Sequence, residues 1–194
     1  MLVTLVLAGA LFAPNPAPLT DPVTWEIDPV HSEITFRVRH FVTKVPGTFL
    51  QWNGTITADP GKLSDGAVEV VIQTASISTK NERRDAHLRS PDFFAADSFP
   101  TITFKSTTMD VTGSTIKLSG DLTIRGVTKP VVLTGEFGGV SGPPEPKKQR
   151  IGFSASTKVN RIDYGVKWNR ALEGGGFMLS DEVDITINVE AVRQ

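Results

Sequence analysis

The chain has 194 residues, of which 20 are basic and 21 acidic, so its net charge at neutral pH is −1. This length predicts a single domain. The balanced charge gives no general electrostatic basis for binding nucleic acid, whose affinity for proteins comes mainly from neutralised phosphates. Cysteine is absent, which excludes disulfides, thiolate zinc sites and cysteine nucleophiles.

The first 20 residues are typical of a secretory leader. An apolar run from Leu2 to Ala13 is followed by Pro14, Pro16 and Pro18. The run has the length of a signal-peptide core and is too short to span a bilayer. We therefore expect residues 1–20 to be a signal peptide and proline-rich linker. The mature protein would then be periplasmic or secreted, without an integral membrane span. A weakly packed tail is the alternative, since no Lys or Arg precedes the run.

From Trp25 onward the chain shows the period of two that is typical of β-strands with one apolar face. Ile34, Phe36, Val38 and His40 share one face of the first long strand, opposite charged and polar side chains. Turn signals separate the segments. The predicted strands cover 25–27, 32–40, 47–58, 67–77, 101–110, 115–125, 129–137, 150–159 and 182–192. The sequence thus predicts one all-β, mostly antiparallel domain over residues 24–193.

One stretch, residues 79–104, does not have this alternation. Thr79 and Glu82 have the T-x-x-E spacing of a capping box, which predicts a helix start. Asp85 and Arg89 would pair on one face of that helix, and Pro91 would end it.

The next residues suggest a second helical turn. Ser90, Pro91 and Asp92 have the order of a cap, a first-turn proline and a first-turn carboxylate. This turn would carry Phe93 and Phe94, two adjacent rings that we expect to close an apolar interior.

Eight or so one-sided strands can close as a barrel or stack as a sandwich. The supposed inner positions hold both aromatic rings and small residues, the latter being Gly120, Gly135 and Ala155. The small residues could leave room for a ligand inside a barrel. They could equally relieve strand curvature.

Few residues are candidates for catalysis or metal binding. The histidines are His31, His40 and His87, and they lack the close spacing of metal ligands, so we predict no metal site. His40 is expected to be a hydrogen-bonded core residue. No phosphate loop, nucleotide fingerprint or nucleophile elbow is present.

Several motifs in order resemble the YceI-like family of polyisoprenoid-binding proteins. They cover nearly everything from Trp25 onward, and their correct order makes the resemblance specific. The motifs are Asp28-Pro29-Val30-His31-Ser32 with the following strand, Gly47-x-Phe49, RRDAHLRSPDFF with Phe99-Pro100, the run Gly120 to Pro130, Asn160-Arg161-x-Asp163-Tyr164-Gly165, and Ser180-Asp181-Glu182-Val183.

The resemblance implies an eight-stranded, antiparallel, lipocalin-like barrel with one short helical segment near residues 79–95. It also implies an apolar cavity that holds an isoprenoid or similar long-chain lipid, with no other cofactor, no catalytic residue and a periplasmic or secreted location. Arg84 and Asp85 are expected to hold the lipid head group or the helix. The expected cavity lining is Phe36, Val38, His40, Phe49, Phe93, Phe94, Ile102, Phe104, Leu122, Ile124, Phe153 and Ile185.

Two other functions are compatible with the sequence. An enzyme acting on a lipid head group would use His40 or His87 with Asp85 as general acid and base. A barrel filled by its own side chains would act as an interaction module of the cell envelope. The resemblance is also compatible with a homodimer.

Overall fold

The computed structural model describes residues 22–194, so the expected signal peptide and linker lie outside the described part. Its helix is α1, Glu82–Arg89. Its strands are β1 Val23–Ile27, β2 Glu33–His40, β3 Thr43–Phe49, β4 Trp52–Asp59, β5 Lys62–Gln73, β6 Ile77–Ser78, β7 Thr101–Thr112, β8 Thr115–Ile124, β9 Val127–Ser141, β10 Arg150–Asn160 and β11 Leu179–Arg193.

These strands form a closed antiparallel barrel with eight positions. Three positions are bent and composite, made by β1 with β2, β3 with β4, and β5 with β6; β7 to β11 fill one position each. The last strand closes the ring, because β11 pairs with β2 near its start and with β1 near its end. Closure leaves no long free sheet edge, the usual route to edge-to-edge aggregation. The expected all-β, eight-stranded barrel with one helix is confirmed.

The Asp28–Ser32 motif makes the bend between β1 and β2. The Asp28 N–H donates to the Glu190 carbonyl at 2.9 Å. The Ser32 hydroxyl donates to the same carbonyl at 3.1 Å and accepts from the Glu190 N–H at 2.9 Å. These bonds satisfy the β11 backbone at the point where it changes partners, as buried backbone groups require.

A similar bend interrupts one predicted strand, so that prediction was wrong. The segment 47–58 was expected to be continuous, whereas Leu50 and Gln51 interrupt it between β3 and β4. The Leu50 N–H donates to the Ser76 carbonyl, and the Gln51 carbonyl accepts from the Gln73 N–H. Because the neighbouring composite strand bends at the same level, backbone hydrogen bonds continue across the break.

The N-cap of α1 is Asn81 and not Thr79, the first residue of the predicted capping box. The Asn81 side chain accepts from the Arg84 N–H at 3.0 Å, which is the usual N-cap bond. Thr79 lies before the helix, and both its backbone N–H, at 2.8 Å, and its hydroxyl donate to Asp85. Asp85 therefore does not form the predicted pair with Arg89, whose guanidinium faces the Ala75 and Ile77 carbonyls.

The prediction of a second helical turn after Ser90 was wrong. Ser90 ends α1 in an extended conformation, as Pro91 requires, but residues 91–94 form a turn instead of a helix. The Phe94 N–H donates to the Leu88 carbonyl at 3.0 Å, and the Ala96 N–H to the Arg89 carbonyl at 2.9 Å. The segment thus folds back over the end of α1 and holds Phe93 and Phe94 against the barrel.

The end of the barrel farthest from α1 is filled by its own side chains. Trp25 is completely buried and its indole N–H donates to the Ala58 carbonyl at 3.0 Å. Ile151 and Ala191 are buried at the same end. This packing closes one end of the interior, so any opening must lie toward α1.

Candidate functional site

A cavity of about 790 Å³ lies inside the barrel. Small-molecule sites usually enclose about 300–1,000 Å³ with mostly apolar walls, and this cavity fits both descriptions. Its wall is formed by inward-facing side chains of the strands, of α1, of the turn 91–94 and of the segment 161–168. A barrel filled by its own side chains, one of the three functions considered, therefore does not match the structure.

The structure places all twelve expected lining residues on the cavity wall. Their contact with a ligand remains a prediction. Arg84 also lies on the wall, whereas Asp85 is buried behind it against Thr79. The twelve are Phe36, Val38, His40, Phe49, Phe93, Phe94, Ile102, Phe104, Leu122, Ile124, Phe153 and Ile185.

The two glycines among the small residues do not create the empty volume. A Cβ at Gly120 would come within 2.5 Å of the Phe104 ring, and one at Gly135 within 1.8 Å of the Ser154 carbonyl oxygen. Neighbouring atoms already occupy the space that a side chain would need, so these glycines permit close approach. The void comes instead from the width of an eight-position barrel.

The mouth of the cavity lies beside α1. Four wall residues that are also solvent-exposed lie there, namely His40, Asn81, Arg83 and Arg84. His40 is thus an exposed residue at the end of β2, and the expectation of a hydrogen-bonded core histidine was wrong.

Aromatic rings form two groups between the mouth and the interior. Phe93, His87 and Trp168 pack with ring centroids 5.0–5.1 Å apart, which is a favourable spacing for aromatic pairs. Phe94 meets Phe49 edge to face at 6.1 Å, and Phe49 lies 5.8 Å from Phe36. The turn 91–94 and the segment around Trp168 together narrow the mouth.

Sequence reasoning missed the contribution of the segment between β10 and β11. Arg161, Tyr164, Val166 and Trp168 all lie on the wall. This segment lacks alternation, so strand periodicity could not place it. The signal available in the sequence is the Asn160–Gly165 motif, which marks the start of this segment.

Arg161 holds this segment in place. Its guanidinium donates to the carbonyls of Val166 at 2.6 Å, Trp168 at 2.9 Å and Ser180 at 2.9 Å. Burial lowers the pKa of Arg161, and the nearby Asp181 opposes that shift; arginine nevertheless stays charged in proteins. Burial also raises the pKa of the Tyr164 hydroxyl to about 12.

The charged residues on the cavity wall, within residues 22–194, are all basic: Arg83, Arg84 and Arg161. No carboxylate of the described residues lies on that wall. Arg84 donates two hydrogen bonds to Thr79, one to the hydroxyl at 2.6 Å and one to the carbonyl at 2.9 Å. The wall therefore favours a ligand whose polar end accepts hydrogen bonds or carries negative charge.

The structure does not form the predicted catalytic pair. The His87 ring lies 2.8 Å from Asp92 through Nε2, while Asp85 is occupied by Thr79. Within the described chain, no hydrogen bond joins His40 to a carboxylate. Neither histidine thus has Asp85 as its partner.

Asp28, His31 and Glu190 bring potential metal-ligand atoms within 4.8 Å of one another. Arg150 already reaches two of them, at 2.7 Å from Glu190 and 3.4 Å from Asp28. A hydrogen bond with His31, and a further one from the Val30 N–H, lower the pKa of Asp28. With a guanidinium in place, the cluster is explained as an ion-pair network that fixes the bend between β1 and β2.

A family model described as the YceI-like domain matches residues 25–191. The chain belongs to the YceI-like family. A curated relative, UPF0312 protein SA2479 of Staphylococcus aureus, is 40% identical over 164 residues, covering 84% of this chain and 94% of the relative. The Campylobacter jejuni YceI crystal structure is 33% identical, with a TM-score of 0.66 over 79% of this chain and 87% of that one.

Two solved structures of lower sequence identity share the fold. Burkholderia cenocepacia BcnA has 20% identity and a TM-score of 0.73, over 84% of this chain and 98% of that chain. A polyisoprenoid-binding domain from Saccharophagus degradans has 15% identity and a TM-score of 0.63, over 89% and 99%. At these identities the likeness shows the fold alone.

Another YceI-like motif, Arg125-Gly126, fixes the turn 91–94 from outside. Both residues take positive φ in the hairpin between β8 and β9. The Arg125 guanidinium donates to the carbonyls of Pro91, at 2.9 Å, and Phe93, and lies 5.8 Å from the Phe99 ring centroid.

In residues 22–194, no helix has the length and apolarity needed to cross a membrane.

Proposed function

We propose that the protein binds and carries an amphiphilic lipid of the isoprenoid type, with its tail inside the barrel. The observation that carries the proposal is an apolar cavity of about 790 Å³ that is closed at one end and has basic side chains on its wall toward the other. The fold shared with a polyisoprenoid-binding domain from Saccharophagus degradans supports the same ligand class.

The energetics require a long tail. Each buried methylene contributes about 0.8 kcal/mol, so roughly ten to fifteen carbons supply a gross 8–12 kcal/mol. Association and ordering cost about 4–15 kcal/mol. A tail longer than this is needed for tight binding, and a mostly apolar wall suits such a tail.

The lipid head group would lie at the mouth. Arg83 and Arg84 are exposed there and Arg161 lies deeper on the wall. A head group that accepts hydrogen bonds, whether neutral or anionic, matches these donors. A cationic head group would face unpaired positive charge.

Binding without turnover needs neither a nucleophile nor a metal, and we propose a carrier in place of an enzyme. The apolar N-terminal run supports a periplasmic or secreted location. In either compartment a carrier would shield a lipid tail from water.

The test is organic extraction of the purified, undenatured protein followed by mass spectrometry. The proposal predicts a lipid in near one-to-one ratio, or uptake of an offered prenyl lipid such as a polyprenol. Absence of a stoichiometric lipid together with failure to take up the polyprenol would contradict it. Stoichiometric recovery of a chemically altered lipid would favour the enzyme instead.

A further inference from the structure

Three exposed apolar side chains project near the mouth. Phe41 and Val42 form the turn between β2 and β3, and Phe177 lies just before β11; they are 55%, 81% and 61% exposed. The Phe41 N–H donates to the Met178 carbonyl at 2.7 Å, which ties the two loops together. We call Phe41, Val42 and Phe177 the apolar rim.

The turn chemistry of the rim is unusual. Two-residue hairpin turns commonly use Gly, Asn or Asp, because at least one residue needs a positive φ. In the hairpin between β8 and β9, Gly126 follows this rule, while Arg125 takes a φ of +50° and uses its side chain to hold the Pro91 and Phe93 carbonyls. Phe41 also takes a positive φ, of +54°, a conformation that bulky residues rarely adopt, but its side chain is exposed. Solvent-exposed phenylalanine and valine here serve neither the turn nor the core.

The rim borders the cavity directly. His40, which precedes Phe41, and Leu179, which follows Phe177 and Met178, both lie on the cavity wall. A surface that touches the rim would therefore also cover the mouth. The other large apolar residues that are exposed within residues 22–194 are Val30, Leu50, Val132 and Val140. They lie singly along the chain and fit the scattered pattern normal for soluble proteins.

Basic residues flank the rim. Residues 39–44 contain Arg39 and Lys44 and no acidic residue, while residues 166–178 contain Lys167 and Arg170 against Glu173 alone. Just beyond the rim, at the start of β11, Asp181 pairs with Arg161, Glu182 with Lys158 and Asp184 with Lys44. Arg39, Lys167 and Arg170 are exposed and form no salt bridge within residues 22–194. Apolar tips surrounded by basic side chains match the chemistry of an anionic bilayer surface.

We propose that the apolar rim docks the barrel onto an anionic membrane, inserting its three side chains among the lipid head groups. The mouth then faces the bilayer, and a lipid passes between membrane and cavity without crossing water. Two loop tips are too small an area for a stable protein partner, whose interface usually buries about 1,200–2,000 Å² in total. This docking goes beyond carriage of the ligand.

The chain contains no cysteine, so a single introduced cysteine can carry an environment-sensitive fluorophore. Val42→Cys places it on the rim, and Val140→Cys, at the other end of the barrel, is the matched control. With phosphatidylcholine vesicles containing phosphatidylglycerol, the label at position 42 should shift to the blue and the label at position 140 should not. Because both variants keep the whole N-terminal region, any membrane binding by that region is common to them.

The second arm adds Phe41→Ser and Phe177→Ser to the Val42→Cys chain. Vesicle affinity should fall at least tenfold, while the thermal transition and the lipid content measured by extraction stay unchanged. Equal blue shifts at positions 42 and 140, or no shift at 42, would overturn the proposal. Equal affinity for pure phosphatidylcholine vesicles would also overturn it. Since lipid content is measured without vesicles, failure of docking and failure of carriage give different results.

Discussion

Tyr164 shows how burial on the cavity wall changes the chemistry of a single residue. The side chain is 2% exposed, and burial disfavours the charged phenolate, which raises its pKa to about 12 from an ordinary 10.0. It is the one tyrosine in the chain. Its titration can therefore be followed without interference from another phenol.

This shift predicts a stability change at alkaline pH. Between pH 10 and about 12 the unfolded chain loses the Tyr164 proton while the folded chain retains it. The free energy of unfolding should therefore fall with rising pH, by up to about 1.4 kcal/mol per unit from this group. Tyr164→Phe should remove that part of the decline.

The measurement is urea unfolding at several pH values from 8 to 12 for both proteins. Lysine and arginine titrate alike in the two chains, so the difference isolates the phenol. Identical pH dependence in the two proteins would show that Tyr164 ionises as freely in the folded state as in the unfolded one.

At the scale of elements, the segment from α1 to Phe99 narrows the cavity mouth, and we expect it to act as a lid. The Thr79, Arg84 and Asp85 bonds hold its start, and Arg125 holds its turn. These anchors place Phe93 and Phe94 over the interior. The two rings lie on the wall in spite of the wrong prediction of a second helical turn.

The lid predicts a specific effect of Phe94→Ala. Removing the ring breaks its contact with Phe49 and opens the mouth, so bound lipid should dissociate at least tenfold faster. Phe137→Ala is the matched control, because Phe137 is partly buried against the core but absent from the cavity wall. Each substitution should cost about 3 kcal/mol of stability or less.

Lipid loss to an excess of empty vesicles measures the dissociation rate. Comparable rates for the Phe94 and Phe137 variants would mean that the segment is a surface connection with no lid function.

Sequence reasoning succeeded where one physical rule dominated. The alternation of Ile34, Phe36, Val38 and His40 gave both the strand and its inner face, since period two leaves no other arrangement. It failed at Thr79 because two capping patterns overlap there, and Asn81 is the stronger N-cap. It missed Trp168 because irregular segments are placed by tertiary contacts such as those of Arg161.

At the scale of the whole molecule, one end of the barrel is sealed and the other holds the polar groups. Trp25 fills the first end, while α1 and Arg161 surround the second. This polarity orients any amphiphile, with its tail toward Trp25 and its head toward the arginines. The homodimer stays a prediction, since the described chain is a single copy.

The central claim is that the empty volume inside the barrel is the lipid site. Ala155 lies on the cavity wall, while its neighbour Ser156 is exposed and lies off it. Ala155→Trp would fill the cavity, and Ser156→Trp would add the same ring outside. Native mass spectrometry of both purified variants and the parent protein measures the fraction of molecules that carry a lipid. We predict that Ala155→Trp loses most of the bound lipid while Ser156→Trp retains the parent fraction; equal lipid occupancy in all three proteins would contradict a binding site inside the barrel.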